Sequence, residues 1–169
     1  GDSLADIVES SVVTHLSRPS QIADTSWIRA GRASWSWWAI HPSARDFRVQ
    51  KDYVDLAAEM GWKYILVDAL WPEMAGGGTI EDLIAYARSK GIGVALWYHQ
   101  EHHPMTDHET REAEFKRIRA MGAVGIKVDF FKGDTQRMLR RYQDILEEAA
   151  AHRLMVNFHG ATLPRGWRR

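Results

Sequence analysis

Five apolar runs recur about every 30 residues, and this repeat constrains the fold more than any other feature. They occupy residues 33–39 (ASWSWWA), 62–70 (WKYILVDAL), 92–99 (IGVALWYH), 123–131 (AVGIKVDFF) and 154–159 (LMVNFH). Gly61, Gly91 and Gly122 each stand between an amphipathic stretch and the next run, the position glycine favours just past a helix C-terminus. The runs are short, rich in Val, Ile and aromatic residues, and mostly apolar at successive positions. Parallel strands covered by helices read this way.

The segments between the runs carry helical patterns. Phe47, Tyr53, Val54, Leu56, Ala57 and Met60 make an apolar stripe over residues 47–60. Thr79 opens a second helix with Ile80, Leu83, Ile84 and Ala87 on one face, and Thr79 with Asp82 resembles a capping box. Asp107 is placed to cap a third helix bearing Phe115, Ile118 and Met121. Asp134 is placed to cap a fourth, with Met138, Tyr142, Ile145, Leu146 and Ala149 facing inward.

The order predicts an α/β chain of five strands and four helices. No Gly-rich phosphate loop follows the first run, as a dinucleotide-binding open sheet would need. A closed (β/α)8 barrel needs eight such units and about 250 residues, against 169 here. The expectation is therefore an incomplete (β/α)8 TIM barrel: residues 1–30 as a linker and residues 31–169 as the N-terminal part of the barrel, truncated after the fifth strand.

Charge balances at 22 basic and 22 acidic residues, and no basic stripe points to nucleic acid; Arg165, Arg168 and Arg169 are a tail cluster only. No run of about 18 apolar residues suggests a membrane span, and no charged-then-apolar leader opens the chain. The absence of cysteine excludes disulfides and thiol catalysis within the sequence. Eight tryptophans are either core filler or platforms for an amphipathic ligand such as a sugar.

Barrel active sites lie at the C-terminal ends of the strands. Reading those ends yields Trp37 and Trp38, Asp68, His99, Asp129 and His159. Asp129 is the sharpest candidate. Lys127 precedes it by two positions, so both side chains leave the strand on one face. The pair reads either as a nucleophilic carboxylate kept ionised by a cation or as an ion pair filling the barrel interior. Asn157 and His159 form a similar pair, suited to sugar hydroxyls or to core hydrogen bonding. Asp68 reads as a substrate ligand or a loop cap. Trp35 and Trp37 share one face of the first run and Trp97 lies near the end of the third; sugar stacking competes with core packing for each. His99, Gln100, Glu101, His102 and His103 lack the one-face spacing of a helical zinc motif and read as a polar loop, so no metal ligand is assigned.

Several longer motifs carry a resemblance: DTSWI (residues 24–28), GRASWSWW (31–38), AAEMGWKYILVD (57–68), GIKVDFF (125–131) and VNFHGATLPRGW (156–167). In this order they resemble glycoside hydrolase family 97, over nearly the whole chain. The resemblance implies a bacterial exo-acting α-glucosidase or α-galactosidase, exported to the periplasm or beyond. It has two branches. In the retaining branch the fourth strand carries an Asp nucleophile, which matches Asp129. In the inverting branch that Asp is absent and a carboxylate follows the His of the fifth-strand motif, where this sequence has Gly160. Inverting members also carry a Glu after the third strand, near Glu101. The match favours the retaining, α-galactosidase-like branch, with Asp129 catalytic and Asp68, Lys127, His99, Asn157, His159, Trp37 and Trp97 contacting an oligosaccharide or α-galactoside. It also implies calcium, an acid/base Glu and an N-terminal β-sandwich, with most calcium ligands and the other parts outside this segment, so the segment alone is expected to be inactive.

Three alternatives stand beside this: an inverting α-glucosidase of the same family, a metal-dependent amidohydrolase barrel, and a non-catalytic sugar-binding remnant. The amidohydrolase reading wants a His-x-His pair on the first strand, and SWSWW has none.

Overall fold

The computed structural model describes residues 3–8, 10 and 19–162. A short helix, α1 (Leu4–Val8), precedes the repeat; it falls within residues 1–30, read above as linker. Then come β1 (Ala33–Trp35), α2 (Phe47–Glu59), β2 (Tyr64–Val67), α3 (Ile80–Ser89), β3 (Gly93–His99), α4 (His108–Met121), β4 (Gly125–Asp129), α5 (Gln136–Ala151) and β5 (Met155–Phe158). The strands form one parallel sheet in the order β1-β2-β3-β4-β5. Sequential order without a reversal is the wall of a barrel, here an unclosed arc, and not a doubly wound sheet. The tail arginines and residues 163–167 of the last motif lie outside the described residues.

The two faces of the arc differ. Ile65, Val67, Val94, Leu96, Tyr98, Ile126 and Val128 are buried, in one core with Val54, Ala57, Leu83, Ile84, Ala87, Phe115, Ile118, Ile145 and Ala149 of the helices. The alternate residues Tyr64, Leu66, Ala95, Trp97 and His99 are only half-buried, because they face the concave side. Continuous apolar runs imply two covered faces; β4 meets that expectation along its whole length, and β2 and β3 do so on one side. Only β4 is buried at every position, Lys127 and Asp129 included.

Helix starts follow local hydrogen-bonding chemistry. Asp46 caps α2 through Arg48 N, Thr79 and Asp82 form the reciprocal capping box of α3, and Asp107 accepts from Thr110 N at α4. At α5 the cap is Thr135, whose Oγ1 accepts from Met138 N, in place of the expected Asp134. Thr135 is three residues before Met138, the spacing at which a side-chain oxygen meets the N3 amide; Asp134 is one residue too early. Three expected core residues are exposed: Leu56 on α2, Met60 at its C-terminal cap and Leu146 on α5. On α2 the buried stripe runs through Gln50 instead, whose amide donates to Ser36 Oγ at 2.8 Å and Ser43 O at 3.0 Å. Leu146 lines a surface groove with Leu139, Pro19 and Ile22.

The first run is a strand for three residues only. The chain turns at Ser36, where Ala39 N and Ile40 N both donate to its carbonyl. Trp37 therefore lies beyond the strand and does not share a strand face with Trp35.

Candidate active site

Strand register assembles the site. Side chains two apart share a face, and Trp97 is paired with Lys127, Lys127 with Asn157, and His99 with Asp129. The concave face thus gathers Trp97, Lys127 and Asn157 in one layer, with His99 and Asp129 one step nearer the C-terminal edge. Asp68 follows the last residue of β2 and reaches the same cluster.

Lys127 sits between two carboxylates. Its Nζ lies 3.0 Å from Asp68 Oδ2 and 3.5 Å from Asp129 Oδ2, and 4.1 Å from the centre of the Trp35 ring. All three charged side chains are almost wholly buried. A buried carboxylate needs its lone pairs met, and both are. Asp68 Oδ2 also accepts from Trp35 Nε1 at 2.7 Å, and Oδ1 from the Ala69 amide at 2.8 Å. Asp129 Oδ2 accepts from Trp97 Nε1 at 3.2 Å and lies 2.8 Å from His159 Nδ1, which must carry the proton if the carboxylate is ionised. Asp129 Oδ1 takes one short bond, 2.7 Å, from the Phe130 amide. The Ala69 amide meets Asp68 in the same way; Phe130 itself has a left-handed backbone, φ 67°, uncommon for a bulky residue, which turns the chain after the end of β4. Burial pushes the Asp129 carboxyl up, but the bonds from Trp97, His159 and Phe130 outweigh it, and the net position is below the ordinary aspartate value.

The rest of the wall holds this cluster in place. Trp71 Nε1 donates to the Trp97 carbonyl, the Tyr98 hydroxyl to Glu114, and Glu114 accepts from Nε and Nη2 of Arg117, which lies over the Trp71 ring. The Gln100 amide donates to the Asp129 carbonyl, tying the ends of β3 and β4 together.

The expected site residues divide into two groups. Asp68, Lys127, Trp97, Asp129 and His159 converge. His99 stacks between His102, at 3.9 Å, and Phe130, at 5.0 Å, on the rim beside Trp97. Burial and the neighbouring His102 charge hold its imidazole below the ordinary value. Asn157 is exposed on the outermost strand. Trp37 places its ring edge-on to His41, 4.5 Å away. Glu101 turns to Lys132 at 3.2 Å, on the surface. Two contributors are absent from the expected set. Trp35, which the sequence placed only beside Trp37, serves both Asp68 and Lys127; its flanking buried serines, Ser34 and Ser36, are the alternation that marks it as inward-facing. The Phe130 amide has no signal in a side-chain pattern.

The calcium that the family resemblance implies finds no cage here. Calcium takes six to eight oxygen ligands, and among the described residues no group of three or more His, Asp or Glu is arranged for a metal. The oxygens of Asp68 and Asp129 are engaged by an ammonium, indole N–H groups and amides, a donor set suited to keeping anions and not to sharing them with a cation.

A parallel arc with carboxylates and a lysine clustered at its strand ends defines a piece of a (β/α)8-barrel enzyme. The family model Glycoside hydrolase 97 matches residues 27–169, and the chain belongs to that family. It is 40% identical, over 98% of its length, to a probable retaining alpha-galactosidase of Streptomyces bingchenggensis, and 29% identical, over 97%, to a retaining alpha-galactosidase of Bacteroides thetaiotaomicron. The crystal structure of a beta-arabinopyranosidase superposes with a TM-score of 0.84 at 38% identity over 95% of this chain. A family 97 enzyme of Pseudoalteromonas sp. strain K8, in complex with panose, shares the fold at a TM-score of 0.80 and 19% identity. The chain spans 28% and 26% of the length of the two curated relatives.

Proposed function

We propose that this chain is the nucleophile-bearing wall of a retaining exo-glycosidase acting on terminal α-galactosides, working as part of a longer polypeptide. The observation that carries the reading is Asp129: buried, held below its ordinary pKa, and fixed at both oxygens at the C-terminal mouth of the arc. It is supported by the two relatives named as retaining alpha-galactosidases.

In the first step an oxygen of Asp129 attacks the anomeric carbon. The bond to the leaving oxygen breaks, and that oxygen takes a proton from an acid. Asp68, the other carboxylate of the cluster, is bound to Lys127 and Trp35 and is not placed to supply it; with no further carboxylate in the cluster among the described residues, this reading takes the acid from elsewhere in the polypeptide. In the second step water attacks the same carbon, gives its proton to the conjugate base of that acid, and frees Asp129. Two displacements return the original anomeric configuration. Oδ1 accepts from the Phe130 amide and keeps lone-pair capacity for the attack, while Oδ2 is held by Trp97, His159 and Lys127. Lys127 and Asp68 are the sugar-hydroxyl ligands of this reading, with Trp97 and His99 forming the rim.

The test is Asp129→Ala in the full-length polypeptide carrying this segment. Turnover of an aryl α-galactoside should fall roughly 10³-fold or more, and added azide should restore it with a β-galactosyl azide product. Near-normal turnover would remove Asp129 from the role, and a first-formed β-anomer of the wild-type product, seen by NMR, would favour the inverting branch.

A second reading concerns the sugar. The structure at 38% identity is named a beta-arabinopyranosidase. β-L-Arabinopyranose has the ring configuration of α-D-galactopyranose without the exocyclic hydroxymethyl group. The same nucleophile would serve both, and comparing kcat/KM on the two aryl glycosides ranks them.

A further inference from the structure

Gly160 lies against the other side of the Asp129 carboxylate. Its φ is +50°, and a Cβ added there would stand 2.7 Å from Asp129 Oδ1, 3.2 Å from the Phe130 nitrogen and 3.4 Å from the Phe130 Cα. The first distance is well inside van der Waals contact. The atoms that would be struck are the two partners of one hydrogen bond, Phe130 N to Asp129 Oδ1 at 2.7 Å. Neither can withdraw. Oδ2 is pinned by Trp97 and His159, and the Phe130 backbone is held by the bonds of Gln100 to the carbonyls of Asp129 and Phe130. Residue 160 follows His159, whose own amide extends the β4–β5 ladder by donating to the Val128 carbonyl. Consecutive residues therefore meet the two oxygens of one carboxylate: His159 grips Oδ2 by a hydrogen bond, and Gly160 makes room for Oδ1 by having no side chain.

We infer that Gly160 is a positioning residue for Asp129: its missing Cβ leaves the carboxylate in the one orientation in which Oδ1 meets the Phe130 amide and Oδ2 meets Trp97 and His159. Any side chain at 160 rotates or displaces the carboxylate and breaks the Phe130 bond. This rests on the reading of Asp129 as the nucleophile.

The experiment uses four variants of the full-length polypeptide: Gly160→Ala, Gly160→Asn, Asp129→Ala, and Asp129→Ala with Gly160→Ala. Asparagine tolerates a left-handed backbone better than alanine, so it separates backbone strain from the presence of a Cβ. Both single Gly160 variants should lose about 100-fold in kcat on an aryl α-galactoside, the size of effect a shift of about 1 Å at a reacting group produces, with KM changed less than about threefold. Once Asp129 is alanine there is no carboxylate to displace. Adding Gly160→Ala to Asp129→Ala should then leave the azide-rescued rate unchanged within about twofold. Wild-type kcat in Gly160→Ala, beside an inactive Asp129→Ala, overturns the inference alone. A 100-fold loss of the azide-rescued rate when Gly160→Ala is added also overturns it, because residue 160 would then act on folding and not through the carboxylate. Full activity in Asp129→Ala overturns the nucleophile reading and the inference with it.

Discussion

Asp129 is set by its donors more than by its burial, and the donors make separable predictions. Trp97→Phe keeps the ring and removes the indole N–H that helps hold the carboxyl below its ordinary value. The Asp129 pKa should rise, and the acidic limb of kcat/KM, which reports the ionisation the reaction needs in the free enzyme, should move to higher pH. A limb unmoved in Trp97→Phe would exclude this bond as a tuning contact. How much of this was legible beforehand follows from what strand periodicity encodes. It reports which residues share a face, so Lys127 and Asp129 were visible as a pair, and Asp68 and His159 as strand-end residues. It does not report which of two tryptophans meets a carboxylate, because that depends on where β1 stops. The chain turns at Ser36, which leaves Trp35 against Asp68 and sends Trp37 to His41. Nor does it report a backbone amide or a missing Cβ, and Phe130 and Gly160 contribute through those.

At the scale of elements, the helices are fastened to one another as well as to the sheet. Arg111 of α4 donates to both carboxylate oxygens of Glu148 on α5, at 2.7 Å each, and both side chains are largely buried. Glu148→Ala removes the paired carboxylate and leaves that guanidinium only the Met105 carbonyl and the more distant Asp107 and Asp144 charges, and should cost up to about 3 kcal/mol, seen as a lowered melting temperature in the full-length polypeptide. Burial pushes the Glu148 carboxyl up, but the bonds from Arg111 and His108 bring it below its ordinary value. The sign follows: its contribution is complete above the unfolded glutamate pKa of about 4.3 and is lost as pH falls through the lower folded value. The wild-type protein should therefore lose more stability on acidification than Glu148→Ala does. Gly122, at φ +103° past the end of α4, donates its amide to Ile118 and Arg119 and starts the chain into β4. Gly122→Ala should cost about 1–2 kcal/mol from the backbone alone, a change in melting temperature without one in the pH profile. Such glycines were legible as helix ends. The exposure of Leu146 was not, since a helical stripe gives a direction and not the breadth of what covers it.

For the molecule as a whole, β1 and β5 each have one edge unpaired among the described residues, and the concave face is only half covered. The segment by itself should show no turnover of an aryl α-galactoside above background, because the acid that protonates the leaving group is not in the cluster; turnover comparable to a complete enzyme would contradict that. Open edges also predict concentration-dependent association of the isolated segment, measurable by light scattering. The charges of the chain cancel overall, yet at the mouth two aspartates face a single lysine, so with the His159 imidazole on Asp129 neutral one negative charge is left over where the sugar ring would sit. A ring that becomes cationic on its way to products, as a departing glycosyl group does, gains from that imbalance more than the neutral starting sugar. The same surplus should make a protonated iminosugar of galactose shape bind the complete enzyme tighter than its uncharged lactam, by roughly tenfold or more. Neutralising Asp129 as asparagine should close that gap.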